Sequence, residues 1–273
     1  WKSHSWIDFH DRARLWALAL RGLGVGKGDV VAIVGDARPD WVAAAIGAHA
    51  TGALTMGLYQ EALESEIDYL VDLAEAKVVV AENEEQVDKI LRAASDAPSV
   101  RWIVYCDARG MRKYDDPRLV HRDALLETAR GVAAAEPGLW DSLVDATSGD
   151  DPAMLCSTSG TTSNPKLVTI ASGRFIRHVA IYCDLFRLGP DDEYVSLLPM
   201  AWIGEQFQGI YQPLVCRHKV NFVENLETVM ADLLATPLAR VVRPRPFDLI
   251  LSLNFLSELP VHKRLPLLES VLR

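Results

Sequence analysis

The chain has 273 residues, 49% hydrophobic and 24% charged, an ordinary globular balance that suits one large domain or two small ones and excludes disorder, collagen and coiled coil. Its 28 Lys and Arg against 37 Asp and Glu leave a formal net charge of −9, which argues against nucleic acid as a main partner, because sequence-independent binding needs a basic surface. Cys106, Cys156, Cys183 and Cys216 form no CxxC pair and the scattered histidines form no HExxH, so neither a disulfide framework nor a zinc signature is present, and a reducing cytoplasm is the expected compartment.

Apolar residues at Ile7, Phe9, Leu15, Leu18 and Leu20 predict an amphipathic helix over 7–23. Gly22, Gly24, Gly26 and Gly28 follow it and read as a helix stop and turn. A dinucleotide loop needs the reverse context, a strand before the glycines and a helix after them. Val30–Val34 is a β-branched run of the kind found in buried parallel strands. Asp36 or Asp40 is placed to cap the next helix. The long apolar run 41–59 is alanine-rich and broken by glycine and threonine, so it reads as a buried helix (41–50) entering a buried strand (53–59), not as a membrane span. A helix near 64–74, a strand at 77–81, a helix near 84–94 and a strand at 102–106 continue the alternation. Such alternation predicts an α/β fold, a parallel sheet with helices on both faces. Residues 107–150 are polar and loop-rich, with one helical stretch near 123–135, and read as a surface excursion before a core strand at 153–156.

Residues 157–168, STSGTTSNPKLV, follow that strand and precede a helix expected over 174–186. Short hydroxyls donate hydrogen bonds, Gly160 lets backbone approach oxygen atoms, and Lys166 adds a cation that reaches a phosphate as a point charge. The segment therefore suits a phosphate-cradling loop. It is not a Walker A loop, because Pro165 precedes the lysine and Leu167 follows it.

The same segment resembles the phosphate-loop signature of the adenylate-forming superfamily, which includes acyl-CoA synthetases, luciferases and peptide-synthetase adenylation domains. Thr158, Ser159, Gly160, Thr161, Thr162, Pro165 and Lys166 match its pattern. Ser157 departs mildly, and Ser163 and Leu167 stand where glycine is usual, which bears on loop mobility. Upstream, 24–91 resembles the N-terminal half of long-chain acyl-CoA synthetases. Downstream, VSLLPMAWIGEQ (195–206) and NFVENLETVMADL (221–233) resemble further elements of that branch.

The resemblance implies a partial N-terminal domain of the acyl-CoA synthetase-like fold and two half-reactions: ATP with Mg²⁺ activates a fatty acid to the acyl-adenylate, and CoA then takes the acyl group. It places Thr158, Ser159, Gly160, Thr161, Thr162 and Lys166 on the ATP phosphates, with Thr158 also approaching Mg²⁺. It assigns Trp202 and Glu205 to the substrate site; Trp202 reads equally as a wall of the acyl pocket or as core packing, and Glu205 also as an organiser of its motif or as a solvated helix charge. Another adenylate-forming specificity (aryl-CoA or amino-acid adenylation) and a non-catalytic nucleotide-binding remnant remain alternatives. No basic amphipathic helix supports membrane association, which a fatty-acid enzyme nevertheless leaves open.

The family's YGxTE glutamate, ribose-binding aspartate, hinge and C-terminal lysine have no counterpart in the sequence, and the chain starts at Trp1 without a methionine. The expectation is a partial enzyme, inactive alone. Composition divides the chain at Leu233. The segment 234–273 carries six basic residues, three acids, 11 leucines and no glycine, a charge of +3 against −12 for 1–233. The 1–233 region reads as the partial AMP-binding domain and 234–273 as a tail foreign to it, produced by a frame change or mis-called exon near Leu233. Coding DNA checks this: the tail is expected to show a frame or splice anomaly, and an ordinary in-frame continuation would make it native.

Overall fold

The computed structural model describes residues 2–94, 97–158 and 164–223. The tail 234–273 lies outside the described residues, and so do Ser159, Gly160, Thr161 and Thr162.

Helix α1 (Trp6–Gly22) begins with a capping box in which Ser5 Oγ accepts from the Asp8 N–H and the Asp8 carboxylate accepts from the Ser5 N–H. It stops at the glycine turn, where Gly24 has a φ of +82°. Then β1 (Val30–Val34), α2 (Pro39–Ala50), β2 (Leu54–Leu58), α3 (Glu64–Leu73), β3 (Ala76–Ala81), α4 (Glu84–Ala93) and β4 (Trp102–Tyr105) alternate as the pattern predicts. The run 41–59 is α2 entering β2, and among the described residues no helix is long and apolar enough to cross a membrane.

The main sheet adds β5 (Leu119–His121), β6 (Pro152–Ser157) and β7 (Leu167–Ala171) in the order β5-β4-β3-β1-β2-β6-β7. Its pairs are parallel except the last, because β6 and β7 are joined by a short loop and run antiparallel. Val31 and Ile33 pack with α1 and α2 on one face, while Val30, Ala32 and Val34 pack with α3 and α4 on the other. This two-sided burial explains the unbroken apolar run of β1.

Two expectations are corrected. Residues 107–150 are not merely a surface excursion: they supply edge strand β5 and the helices α5 (Arg122–Ala135) and α6 (Leu139–Asp145). Leu125, Leu126 and Ala129 of α5 are buried in the α1 layer, three apolar positions that the polar composition around them obscures. Neither Asp36 nor Asp40 caps α2, which starts at Arg38 without a side-chain cap. Asp40 instead ion-pairs with Arg12 at 3.3 Å and Arg122 at 2.5 Å.

Beyond β7, α7 (Ser172–Phe186) leads to a two-stranded parallel sheet of β8 (Glu193–Ser196) and β9 (Lys219–Phe222). Between these strands lie α8 (Ile203–Gln206), a π-helical turn over Phe207–Tyr211 and α9 (Gln212–Cys216). Phe175 of α7 meets the rings of Phe207 and Tyr211 edge-on at 5.8 and 4.9 Å.

His49 ties this second layer to the sheet. Its Nε2 lies 3.0 Å from Thr55 Oγ1 and its Nδ1 3.2 Å from the Tyr211 hydroxyl. Thr55 donates to Ala153 O, so its oxygen accepts from Nε2–H and Tyr211 donates to Nδ1, which is a neutral ring fully used. Burial lowers the His49 pKa from 6.5 to about 4. Because the folded value is depressed, the stability is whole above about pH 6.5 and is lost as pH falls toward about 4. His49 as a residue is only partly buried, which limits the effect to at most about 3 kcal/mol. Urea titrations from pH 7.5 to 4.5 should show this loss, and His49→Gln should flatten it; an unchanged slope in the variant would refute it.

Candidate functional site

Strand β6 and strand β7 pair down to Ser157 opposite Leu167. One residue further, the Thr158 N–H donates to Lys166 O at 2.9 Å, and the Lys166 N–H donates to Thr158 Oγ1 at 3.3 Å. These reciprocal bonds extend the β6–β7 pairing by one residue pair. The pair lies at the carboxyl end of a parallel strand, the edge where open α/β sheets receive ligands. Both residues are exposed, and among the described residues the Lys166 ammonium makes no ion pair. The structure thus brings Thr158 and Lys166 together. One lone pair of the Thr158 hydroxyl is taken by the Lys166 N–H, which leaves its proton and a second lone pair for a phosphate oxygen or a hard cation.

Trp202 and Glu205 sit on the other wall. The loop after β8 carries Pro199, Met200 and Ala201 to the face of β2, where Gly57 receives it: a Cβ at position 57 would lie 2.6 Å from Ala201 Cα. Continuing the β2–β6 register of Thr55 with Met154 and Met56 with Leu155 sets Gly57 abreast of Cys156, two residues before Thr158. The Trp202 motif therefore meets the sheet near the carboxyl end of β6. Sequence reasoning missed Gly57; the available signal was a glycine inside a buried strand, which marks close backbone approach.

Trp202 precedes α8 and is partly buried. Its indole lies back over Gly204, where a Cβ would come within 2.3 Å of the ring. Glu205 is fully buried, so its reading as a solvated helix charge is corrected. It accepts from Ser196 Oγ at 2.5 Å and from the Tyr194 hydroxyl at 2.7 Å. Burial raises its pKa, and the bonds from Ser196, Tyr194 and the Leu198 backbone oppose that rise.

A separate cleft of about 490 Å³ opens at the carboxyl ends of β1, β3 and β4. It is away from Thr158 and Lys166, and its charges are already matched. Glu82 accepts from the Asp36 N–H at 2.6 Å, Gln60 Nε2 at 3.1 Å and Arg38 Nε at 3.3 Å, while Arg122 pairs with Asp40 and Asp123. A protein carboxylate fills the position that an anionic ligand would take there. Among the described residues no group of three or more His, Cys, Asp or Glu is arranged to hold a metal ion.

The profile of the AMP-binding enzyme family matches residues 1–250. The chain is 25% identical over 228 residues to the long-chain-fatty-acid–CoA ligase ACSBG1 of Rattus norvegicus, covering 82% of this chain and 31% of that protein. It is 24% identical over 207 residues to the long-chain-fatty-acid–CoA ligase FadD15 of Mycobacterium bovis, covering 74% of this chain and 32% of that protein. The chain thus spans about a third of the length of these relatives. The fold is similar to the crystal structure of apo MatB from Rhodopseudomonas palustris, with a TM-score of 0.65 at 22% identity, covering 86% of this chain and 43% of that one.

The Gly57 contact has a direct consequence. Gly57→Ala should destabilise the chain by about 1–3 kcal/mol, the usual cost of overpacking, since the facing atoms are backbone. Gly22→Ala, with nothing within 4 Å, should leave urea stability nearly unchanged; equal effects at both sites would contradict the docking.

Proposed function

Because the chain belongs to the AMP-binding enzyme family, as its match over residues 1–250 shows, we propose that it carries part of an ATP-dependent ligase that activates a long-chain fatty acid to the acyl-adenylate and then to acyl-CoA. The observation that carries this reading is the Thr158–Lys166 pairing at the carboxyl end of β6, with the Ser/Thr/Gly-rich residues 159–163 between them in the sequence. The relatives named long-chain-fatty-acid–CoA ligases support the choice of acid.

In this reading Thr158, Ser159, Gly160, Thr161, Thr162 and Lys166 hold the ATP phosphates through hydroxyls, amides and one ammonium. The donor set fits: the hydroxyl of Thr158 keeps a free lone pair, and the Lys166 ammonium is exposed. Mg²⁺ would meet the Thr158 oxygen and supply charge neutralisation at the phosphates. A fatty-acid carboxylate attacks the α-phosphate, pyrophosphate leaves, and the CoA thiol then displaces AMP. The first step demands positioning and charge stabilisation more than a protein nucleophile, which suits a site built from donors. Trp202 forms a wall of the acyl site, and CoA enters as co-substrate. The net charge of −9 argues against nucleic acid as a partner, and the setting is cytoplasmic with peripheral membrane contact open to the fatty-acid substrate. By itself this 273-residue chain is expected to be inactive, since the family's Mg²⁺-approaching glutamate and adenylation lysine have no counterpart in it.

Calorimetry should detect ATP binding, weakened about tenfold by Lys166→Ala, the scale of one charge-assisted bond. ATP–pyrophosphate exchange with palmitate should stay near background. Absence of ATP binding would overturn the nucleotide reading, and exchange at the rate of a full-length relative would overturn the inactivity. A non-hydrolysable palmitoyl-adenylate analogue should bind more tightly than a benzoyl-adenylate; the opposite order points to an aryl acid.

A further inference from the structure

Glu205 is a buried carboxylate, and among the described residues no lysine, arginine or histidine forms an ion pair with it. A charge in that position is costly unless donors surround it. Two hydroxyls do, those of Ser196 and Tyr194. Both belong to β8, while Glu205 stands in α8. The carboxylate therefore staples the two ends of the loop 197–202 together.

The rest of the loop is pinned from the same helix. Gln206 Nε2 donates to Met200 O at 2.9 Å, and the backbone N–H groups of Glu205 and Gln206 donate to Trp202 O at 3.1 and 3.2 Å. The Trp202 N–H donates to Pro199 O at 2.9 Å. Held in this way, the loop presses Ala201 onto Gly57 of β2 and lays the Trp202 indole on Gly204.

We propose that Glu205 is a positioning residue: bonded to Ser196 and Tyr194, it acts on the acyl site only through the orientation of Trp202 and never touches the substrate. The inference deepens the acyl-adenylate reading and rests on it for the meaning of Trp202, but not for the geometry. Its oxygens are spent on β8, and a fully buried carboxylate has no surface to offer a ligand. Where an organiser and a substrate contact were both conceivable from the sequence, the bonding pattern selects the organiser.

The test reads Trp202 directly. The 273-residue chain is labelled with 5-fluorotryptophan and the Trp202 resonance is assigned by its loss in Trp202→Phe. Glu205→Gln keeps the shape but loses one acceptor oxygen, and it should shift or broaden the Trp202 line. Glu205→Ala should split or broaden it further. The lines of Trp16 and Trp41, both in the α1–α2 layer, should stay in place. Tyr194→Phe and Ser196→Ala each remove one donor and should move the Trp202 line the same way by a smaller amount, which keeps the test decisive if Glu205→Ala fails to fold. An unmoved Trp202 line in Glu205→Gln and in both donor variants overturns the proposal, as does a collective change of all tryptophan lines in those variants. A second arm measures ligands. Glu205→Gln should weaken the palmitoyl-adenylate analogue about tenfold more than it weakens ATP; equal weakening of both would mark Glu205 as merely structural and overturn the proposal. If the unaltered chain does not bind the analogue, the acyl reading fails while the fluorine arm still decides the role of Glu205.

Discussion

The pleat of β1 sends Val31 and Ile33 into the α1–α2 layer and Val30, Ala32 and Val34 into the α3–α4 layer. A strand buried on both faces must have neighbours on both edges, since its backbone donors and acceptors have no water to bond. β2 and β3 fill those edges in parallel, which forces each connection to cross the sheet as a helix. All the parallel strands then end at one edge, and the loops that leave them gather there. The position of Thr158 and Lys166 at that edge follows from this arrangement.

That edge carries two electrostatic environments. Around β1, β3 and β4, Glu82, Asp40 and Asp123 face Arg38 and Arg122, and each charge has an internal partner. Around β6, the Thr158–Lys166 pair offers hydroxyl and ammonium groups without a facing carboxylate among the described residues. The net charge of −9 is thus no obstacle to binding a polyphosphate, because local donors and not the mean charge meet the ligand.

Polar groups fix the second layer at two points. His49 joins α2 and β2 of the main sheet layer to Tyr211, and Glu205 joins α8 to β8 within the second layer. Both are ionisable groups withdrawn from water and held by hydrogen bonds to neighbouring side chains. Between these anchors the apolar contacts need only small side chains or none, as at Gly57 and Ala201. Such contacts fix a loop closely but tolerate little added volume.

How much was legible follows from whether a signal is local. The helix–strand alternation from α1 to β4, the glycine turn at Gly24 and the buried character of 41–59 were readable, because hydrophobic period and turn chemistry act within a few residues. The STSGTT segment and Lys166 were readable as a candidate for the same reason: their donor chemistry is contiguous in the chain. Three further features were not. The three apolar positions of α5 were lost in polar surroundings until α1 supplied a surface to bury them. Asp40 looked like a cap until Arg12 and Arg122 drew it away. The burial of Glu205 depends on Tyr194 and Ser196, whose hydroxyls reach it only once β8 and α8 face each other. By itself the sequence determined the elements and singled out a candidate phosphate segment, both of which rest on neighbouring residues. Only the tertiary structure decided which charges are paired, which are buried and where the Trp202 loop docks, because those depend on groups that the fold, and not the chain, brings within bonding distance.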